Sequence, residues 1–348
     1  MTLTLDAVLS CSPREVEREC VRLLESKVGT NAISKKNHTI LKSIVKQALR
    51  SFPSPVGSLA KRSSISSFDV LGVRGNPYHN TKHILDVLTK VTWFLDNISD
   101  KCEGRPDRTI LQIAALCHDA GHGGYGNDSW SELPKARLSS KLSEGIVLSD
   151  ATRRSRSLPA SFLSRGSCSS SSSFSSFASF QSILSQLSGD GQSTKKFSAF
   201  NEAMHALNCV EIVAPYEKRL FPGVNSKDSL DSLVELILQT DLATHQKFLD
   251  SYEDTSWYNM VLLLRLADLG HFLSDHRETH IFWVFRIHAE MGTGGRMTLK
   301  ELAKDTVSFG TMFVLPLLHL AKKVLQPEAW KRLALNYKES IRLWNTKM

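Results

Sequence analysis

Apolar side chains recur every three or four positions along most of this chain, which is the helical period. Val16, Cys20, Leu23 and Leu24 predict a helix within 14–30, and a second follows at 38–52. Ile84, Val87, Leu88, Val91, Phe94 and Leu95 predict another, with Pro77 suited to its start. Ile110, Ile113, Ala114, Leu116 and Cys117 form a run that Gly121, Gly123 and Gly124 should end. Later runs are Leu230 to Ile237, Trp257 to Leu269, Leu315 and Leu318 about Pro316, and a tail with Leu333, Ile341 and Leu343. Alternation at period two is nowhere sustained. The pattern predicts an all-α protein, a compact multi-helix bundle.

Two segments interrupt the pattern. Residues 53–68 are rich in Pro, Ser and Gly and read as a linker. Residues 151–198 are of low complexity, with Ser at eleven of the twenty positions from 161 to 180. So few apolar groups cannot offset the entropy of ordering, so a disordered surface insert is expected. The division is then a helical lead-in and linker at 1–69 and one domain at 70–348, interrupted at 151–198. Ser157 follows Arg153, Arg154 and Arg156, a context that basophilic kinases accept, so a kinase acting on the insert is an expected partner.

Charge adds little. The formal net charge is +8. Arg153, Arg154, Arg156, Arg165, Lys195 and Lys196 against Asp190 place most of that excess inside the insert. No basic stripe is interleaved with aromatics, so no nucleic-acid partner is expected. No run of eighteen apolar residues and no charged-then-apolar start is seen, so neither a membrane span nor a secretory signal is expected. The six Cys are scattered without metal-type pairs, which fits reduced thiols and a cytoplasmic location.

Candidate chemistry gathers in two short segments, Tyr78-His79-Asn80-Thr81-Lys82-His83 and His118-Asp119-Ala120-Gly121-His122. His79 and His83 are four apart, which on a helix is one face. Asp268 ends an apolar run, where a carboxylate must be paired, protonated or bound to metal. Imidazoles mixed with carboxylates suit Zn²⁺ or another borderline divalent ion. An Asp can also bridge to a harder ion such as Mg²⁺ or Mn²⁺. Two such ions can clamp a phosphate, and a nearby His that is not a ligand can deliver a proton.

These segments resemble the class I 3′,5′-cyclic nucleotide phosphodiesterases, a branch of the HD-type metallohydrolases. The resemblance rests on Tyr78 to Val87, His118 to Gly123, Thr240 to His245, Ala267 to Leu269, the set Trp283, Ile287 and Glu290, and Val314 to Leu317. It covers roughly residues 70 to 325. It implies the helical bundle of that family, with 70–348 as the catalytic domain. It implies two divalent metals, Zn²⁺ at the first site and Mg²⁺ or Mn²⁺ at the second. His83, His118, Asp119 and Asp268 would hold the first, and Asp119 would reach the second. His122 and Thr240 would orient metal-bound waters. The implied reaction is hydrolysis of cAMP or cGMP to the 5′-monophosphate, by in-line attack of a metal-bridging hydroxide. His79 would be general acid for the O3′ leaving group, oriented by Glu290. Ile287 and Phe309 would sandwich the base, with Tyr78, Leu269, His271 and Thr306 completing the substrate pocket. A homodimer is a further expected partner.

Three positions depart from the family. Thr306 stands where the base-reading Gln belongs, His271 where an Asn belongs, and Leu207 where a water-positioning Glu belongs, with Glu202 or Glu211 as substitutes under a shifted alignment. Looser base preference and weaker turnover are expected. Two alternatives follow: a weakly active or inactive nucleotide-binding relative, and an HD-type hydrolase of another phosphoester.

Overall fold

Four of the longer helices in this protein begin where a polar side chain takes up one or two of their first amide groups. A computed structural model describes residues 11–25, 35–52, 78–122, 195–222, 226–291 and 297–348. The longer helices are α1 (Pro13–Glu25), α2 (Lys35–Arg50), α3 (Thr81–Asp96), α4 (Arg108–Cys117), α5 (Lys195–Val213) and α6 (Ser226–Leu238). They continue with α7 (His245–Ser251), α8 (Ser256–Asp268), α9 (Arg277–Glu290), α10 (Leu299–Phe309), α11 (Leu315–Val324) and α12 (Pro327–Asn345). Among the described residues there is no strand, only one isolated bridge between Ile98 and Leu325. The fold is all-α, as the periodicity predicts.

The caps fix where the chemistry stands. The Asn80 side chain accepts from the amides of Lys82 (2.9 Å) and His83 (3.1 Å). α3 therefore starts at Thr81, later than its apolar pattern and Pro77 suggest, and His79 lies ahead of the cap rather than on a shared helical face. Asp107 caps α4 through the amide of Ile110 at 2.9 Å, and Thr255 caps α8. α3 packs on both α4 and α8, and α4 packs on α8. The start of α3 and the ends of α4 and α8 meet at one place.

The lead-in helices belong to the same core. Val16, Cys20, Leu24, Ile44, Val45 and Phe52 join one cluster with Leu88 and Val91 of α3 and Leu111 of α4. α1 packs on α2 and α3, and His38 of α2 pairs with Glu25 at the end of α1. The linker at 53–68 and the boundary at 69/70 lie outside the described residues, as do 26–30 and 151–194. The insert ends sooner than expected, because 195–198 already belong to α5. Lysine is a good helix former and extends a helix end readily.

One stretch, Leu299–Val324, is long and apolar enough to cross a membrane by length and composition. Val314, Leu317, Ala321 and Val324 in it are nonetheless wholly buried, and α11 packs on α8 and α12.

Because the lead-in shares the core, Ile44→Ala should destabilise the whole protein by about 2–5 kcal/mol. Urea unfolding should show a single transition moved to lower denaturant. A separate early transition, with the main one unmoved, would show that α2 folds apart from the rest.

Candidate active site

Four donor atoms converge where α3, α4 and α8 meet. His83 is in the first turn of α3, His118 caps the end of α4, Asp119 follows it, and Asp268 is the last residue of α8. Asp268 Oδ1 lies 3.1 Å from His83 Nε2 and 3.5 Å from His118 Nε2. Asp119 Oδ2 lies 3.5 Å from His83 Nε2 and 3.3 Å from His118 Nε2. Adjacent ligands on one ion at bond lengths of about 2.1 Å stand about 3.0–3.4 Å apart, so these separations suit a common cation.

The surroundings fit such an ion. His118 Nδ1 faces the Ala115 carbonyl at 2.9 Å, so Nδ1 donates there and Nε2 is the nitrogen turned to the carboxylates. Although burial opposes it, Asp119 and Asp268 push the pKa of the ring well up, so without a cation the ring is charged. His118 Nε2 and Asp119 Oδ2 are buried without hydrogen-bond partners, although they face each other. Burial alone would raise the carboxyl of Asp119, but His118 and His79 hold it well below its usual range. Burial would likewise raise Asp268, but His118 and His83 beside it hold it below that range. Two ionised carboxylates, one buried and one partly so, call for positive charge, and a divalent cation can supply it in place of protons. Gly121 makes the turn after Asp119 with φ +81°, and a Cβ there would stand 2.3 Å from the Asn208 amide nitrogen. That amide donates to the Ala120 carbonyl at 2.7 Å, so the turn is fixed from α5.

A second group stands beside the first. Glu290, at the end of α9, accepts from the amides of Tyr78 (2.8 Å) and His79 (3.0 Å) and from His79 Nδ1 (2.5 Å). Burial would lower the His79 pKa, but Glu290 and then Asp119 outweigh it and raise it to about 9. Glu290 itself falls to about 2, because His79 outweighs burial. His122 stacks on His79 with ring centroids 3.8 Å apart. Burial, then the charge on His79, pushes His122 well down, so it is the neutral member of the pair. His79, though off the helix, still lies 6.0 Å from the His83 ring.

α5 and the end of α6 close the far side. Thr240 Oγ1 donates to Glu202 Oε2 at 2.9 Å, and His205 Nδ1 lies 3.3 Å from the same oxygen. His205 Nδ1 also lies 3.9 Å from Asp119 Oδ1, and its ring is 5.3 Å from that of His122. Leu207 packs against the core instead. The sequence reading singled out Glu202 but missed His205. The Glu-x-x-His spacing, which puts both on one helical face, was the available signal.

The remaining predicted residues are placed unevenly. Tyr78 is buried, and its hydroxyl donates to the Asp268 carbonyl at 3.3 Å. Leu269 caps α8 and is buried. His271 is buried, stacked on His280, with its ring 6.2 Å from Tyr78. Thr306 is buried and donates to the Leu302 carbonyl of its own helix at 2.8 Å, so its proton is unavailable to a base. Phe309 stacks on Phe272 at 6.0 Å, and Ile287 is half-buried on α9.

Among solved structures, the phosphodiesterase domain of a RhoPDE fusion protein from the choanoflagellate Salpingoeca rosetta aligns with a TM-score of 0.61 at 16% identity, over 99% of this chain and 95% of that one. The phosphodiesterase domain of Salpingoeca rosetta rhodopsin phosphodiesterase gives 0.59 at 15% identity, over 97% and 89%. LmjPDEB1, solved in complex with IBMX, gives 0.56 at 16% identity, over 98% and 86%. The fold is that of phosphodiesterase catalytic domains. No protein-family model and no curated protein matches the sequence.

The His79–Glu290 pair makes a testable statement about pH. The His79 contribution to stability is fully present below its ordinary 6.5 and is lost as pH rises through about 9. The Glu290 contribution is present above its ordinary 4.5 and is lost as pH falls through about 2. In metal-free protein, Glu290→Gln should lower the His79 pKa by a unit or more, read by NMR titration of the imidazole. An unmoved value would mean that Glu290 does not hold the charge.

Proposed function

We propose that this chain is a metal-dependent phosphodiesterase that hydrolyses a 3′,5′-cyclic nucleotide to the nucleoside 5′-monophosphate. The observation that carries the reading is the cluster of His83, His118 and Asp119, with Asp268 within 3.5 Å of both imidazoles, beside an imidazole that a buried carboxylate keeps protonated. The shared fold with phosphodiesterase domains supports the class of reaction.

His83, His118, Asp119 and Asp268 would hold the first ion, and their mixed imidazole and carboxylate donors suit Zn²⁺. Asp119 turns its other oxygen, Oδ1, towards the side where a second ion would sit. When bound, two such ions neutralise phosphate charge and acidify water, from a pKa of about 15.7 towards about 7.

The chain's own groups then do the rest. Glu290 accepts the Nδ1–H hydrogen bond of His79, which leaves the Nε2 proton for the O3′ oxygen as the P–O3′ bond breaks. A pKa of about 9 keeps His79 charged at neutral pH. Neutral His122 and the Thr240 hydroxyl orient water at the phosphorus. Tyr78, Leu269 and His271 line the substrate side, and Ile287 and Phe309 flank the base. Thr306, with its proton committed to Leu302, reads the base weakly, so both cAMP and cGMP are accepted.

A binding protein with poor turnover is the second reading, favoured by Leu207 in the core where the resemblance puts a water-positioning carboxylate. Cytoplasmic location, a kinase acting on the Ser-rich insert and a homodimer are proposals resting on sequence alone.

The deciding assay is hydrolysis of cAMP and cGMP by the purified chain with Zn²⁺ and Mg²⁺ or Mn²⁺. Asp268→Ala should lose both bound metal and turnover. His79→Ala should lower kcat by about 10²–10⁴-fold with metal content unchanged. Folded, metal-loaded protein that turns over neither nucleotide would leave the binding reading standing.

A further inference from the structure

Among the described residues, the buried apolar side chains fall into two clusters. The large one runs through α3, α4 and α8, whose ends hold the four metal-binding candidates. The small one is Val284 of α9, Leu302 and Ala303 of α10, and Trp344 at the end of α12, with Ile281 and Val307 packed against it. α12 packs on both α9 and α10. His280, Val284 and Ile287 share one face of α9, and Leu302, Thr306 and Phe309 share one face of α10. The small cluster thus stands one turn from Ile287 and one turn from Thr306, which serve the base in the reading above.

Trp344 also makes a polar contact. Its Nε1–H donates to Nε2 of His280 at 2.7 Å, and both side chains are buried. An indole N–H can only donate, so Nε2 of His280 is the bare nitrogen and Nδ1 carries the proton. Burial lowers the His280 pKa to about 4, so the ring is neutral and this tautomer is the one fixed. The ring stacks on His271, with centroids 5.4 Å apart and planes 14° from parallel. His271 in turn stands edge-on to Tyr78 at 6.2 Å. The contacts therefore run from the last turn of α12 to the substrate side.

We propose that Trp344 is a positioning residue for the base pocket: its indole sets the spacing of α9 and α10, and its N–H fixes His280 and with it the plane of His271. The inference rests on the phosphodiesterase reading for the identity of the ligand, though not for the His280 tautomer. Trp344 touches none of the four metal-binding candidates, which belong to the helices of the other cluster. A close-packed cluster this small has few other side chains to hold the two helices when its largest member shrinks. Trp344 should therefore govern how tightly the nucleotide is held, and leave the chemical step alone.

Two measurements test this. In the metal-loaded chain, Trp344→Phe removes the N–H and keeps an aromatic ring. KM for cAMP and cGMP should rise about 3- to 10-fold, the worth of one buried hydrogen bond, with kcat and bound metal unchanged. Separately, long-range ¹H–¹⁵N spectra of the metal-free wild type should show His280 as the Nδ1–H tautomer, assigned by through-space contact with the Trp344 indole. This arm needs no variant and no turnover. An unchanged KM in Trp344→Phe, or a fall in kcat with KM unmoved, would overturn the positioning role and leave the phosphodiesterase standing. Loss of bound metal in Trp344→Phe would make Trp344 a general support of the fold and overturn the role likewise. An Nε2–H tautomer in the wild type would break the link to His271 and overturn the proposal whatever the kinetics. A wild-type chain that neither hydrolyses nor binds either nucleotide would sink the phosphodiesterase reading and this role together.

Discussion

A buried and a partly buried carboxylate set between two buried imidazoles are the constraint on which the rest of this structure depends. Asp119 is removed from water and Asp268 largely so, which is costly unless positive charge faces them. The answer is geometric: three helix termini are aimed at one point. Two of these, the ends of α4 and α8, are carboxyl ends and bring the negative pole of the helix dipole, while α3 brings its amino end. The balance leaves the point negative, so backbone and side chains together favour a cation there. The same demand explains the apolar character of the supporting helices. Leu111, Ile113, Leu263 and Leu266 exclude the solvent that would otherwise screen the cluster.

The neighbouring imidazoles show how finely this field is divided. His79 and His122 stack face to face, yet one is driven charged and the other neutral. Glu290 decides between them, because it accepts from the ring and amide of His79 and approaches His122 only to 3.9 Å. Glu290 comes from the last residue of α9, so the charge state of a group at the start of α3 is set from a distant part of the chain.

The all-α class and the residues of the first cluster were legible in the sequence because both are local signals. Helical period fixed the class, and each cluster member sits beside a run whose burial is evident from composition alone, as Met260 to Ala267 shows. The error at His79 has a physical source. Asn80 looks like one more polar residue in a helical pattern, but its side chain closes on the amides of Lys82 and His83 and starts the helix after itself. His205 escaped notice because it touches Asp119 across more than eighty residues, and nothing local marks that contact. Thr306 was legible as a departure, but that its proton returns to Leu302 could be seen only with the helix built.

Between α10 and α11 the chain makes a wide π turn, Gly310–Val314, where Phe272 and Ile341 press so closely that a Cβ on Gly310 would meet Phe272 at 2.8 Å. Such a turn holds one residue more than an α-turn. Pro316, two residues beyond it, lacks the amide that regular helix would need there. One residue of α-helix corresponds to about 100° of rotation. The direction that Thr306 and Phe309 face is thus set by the length of this segment as much as by its chemistry. A lineage that lost a single residue between 310 and 314 would turn the face that carries Thr306 and Phe309 by more than a quarter of a circle while keeping every side chain on it.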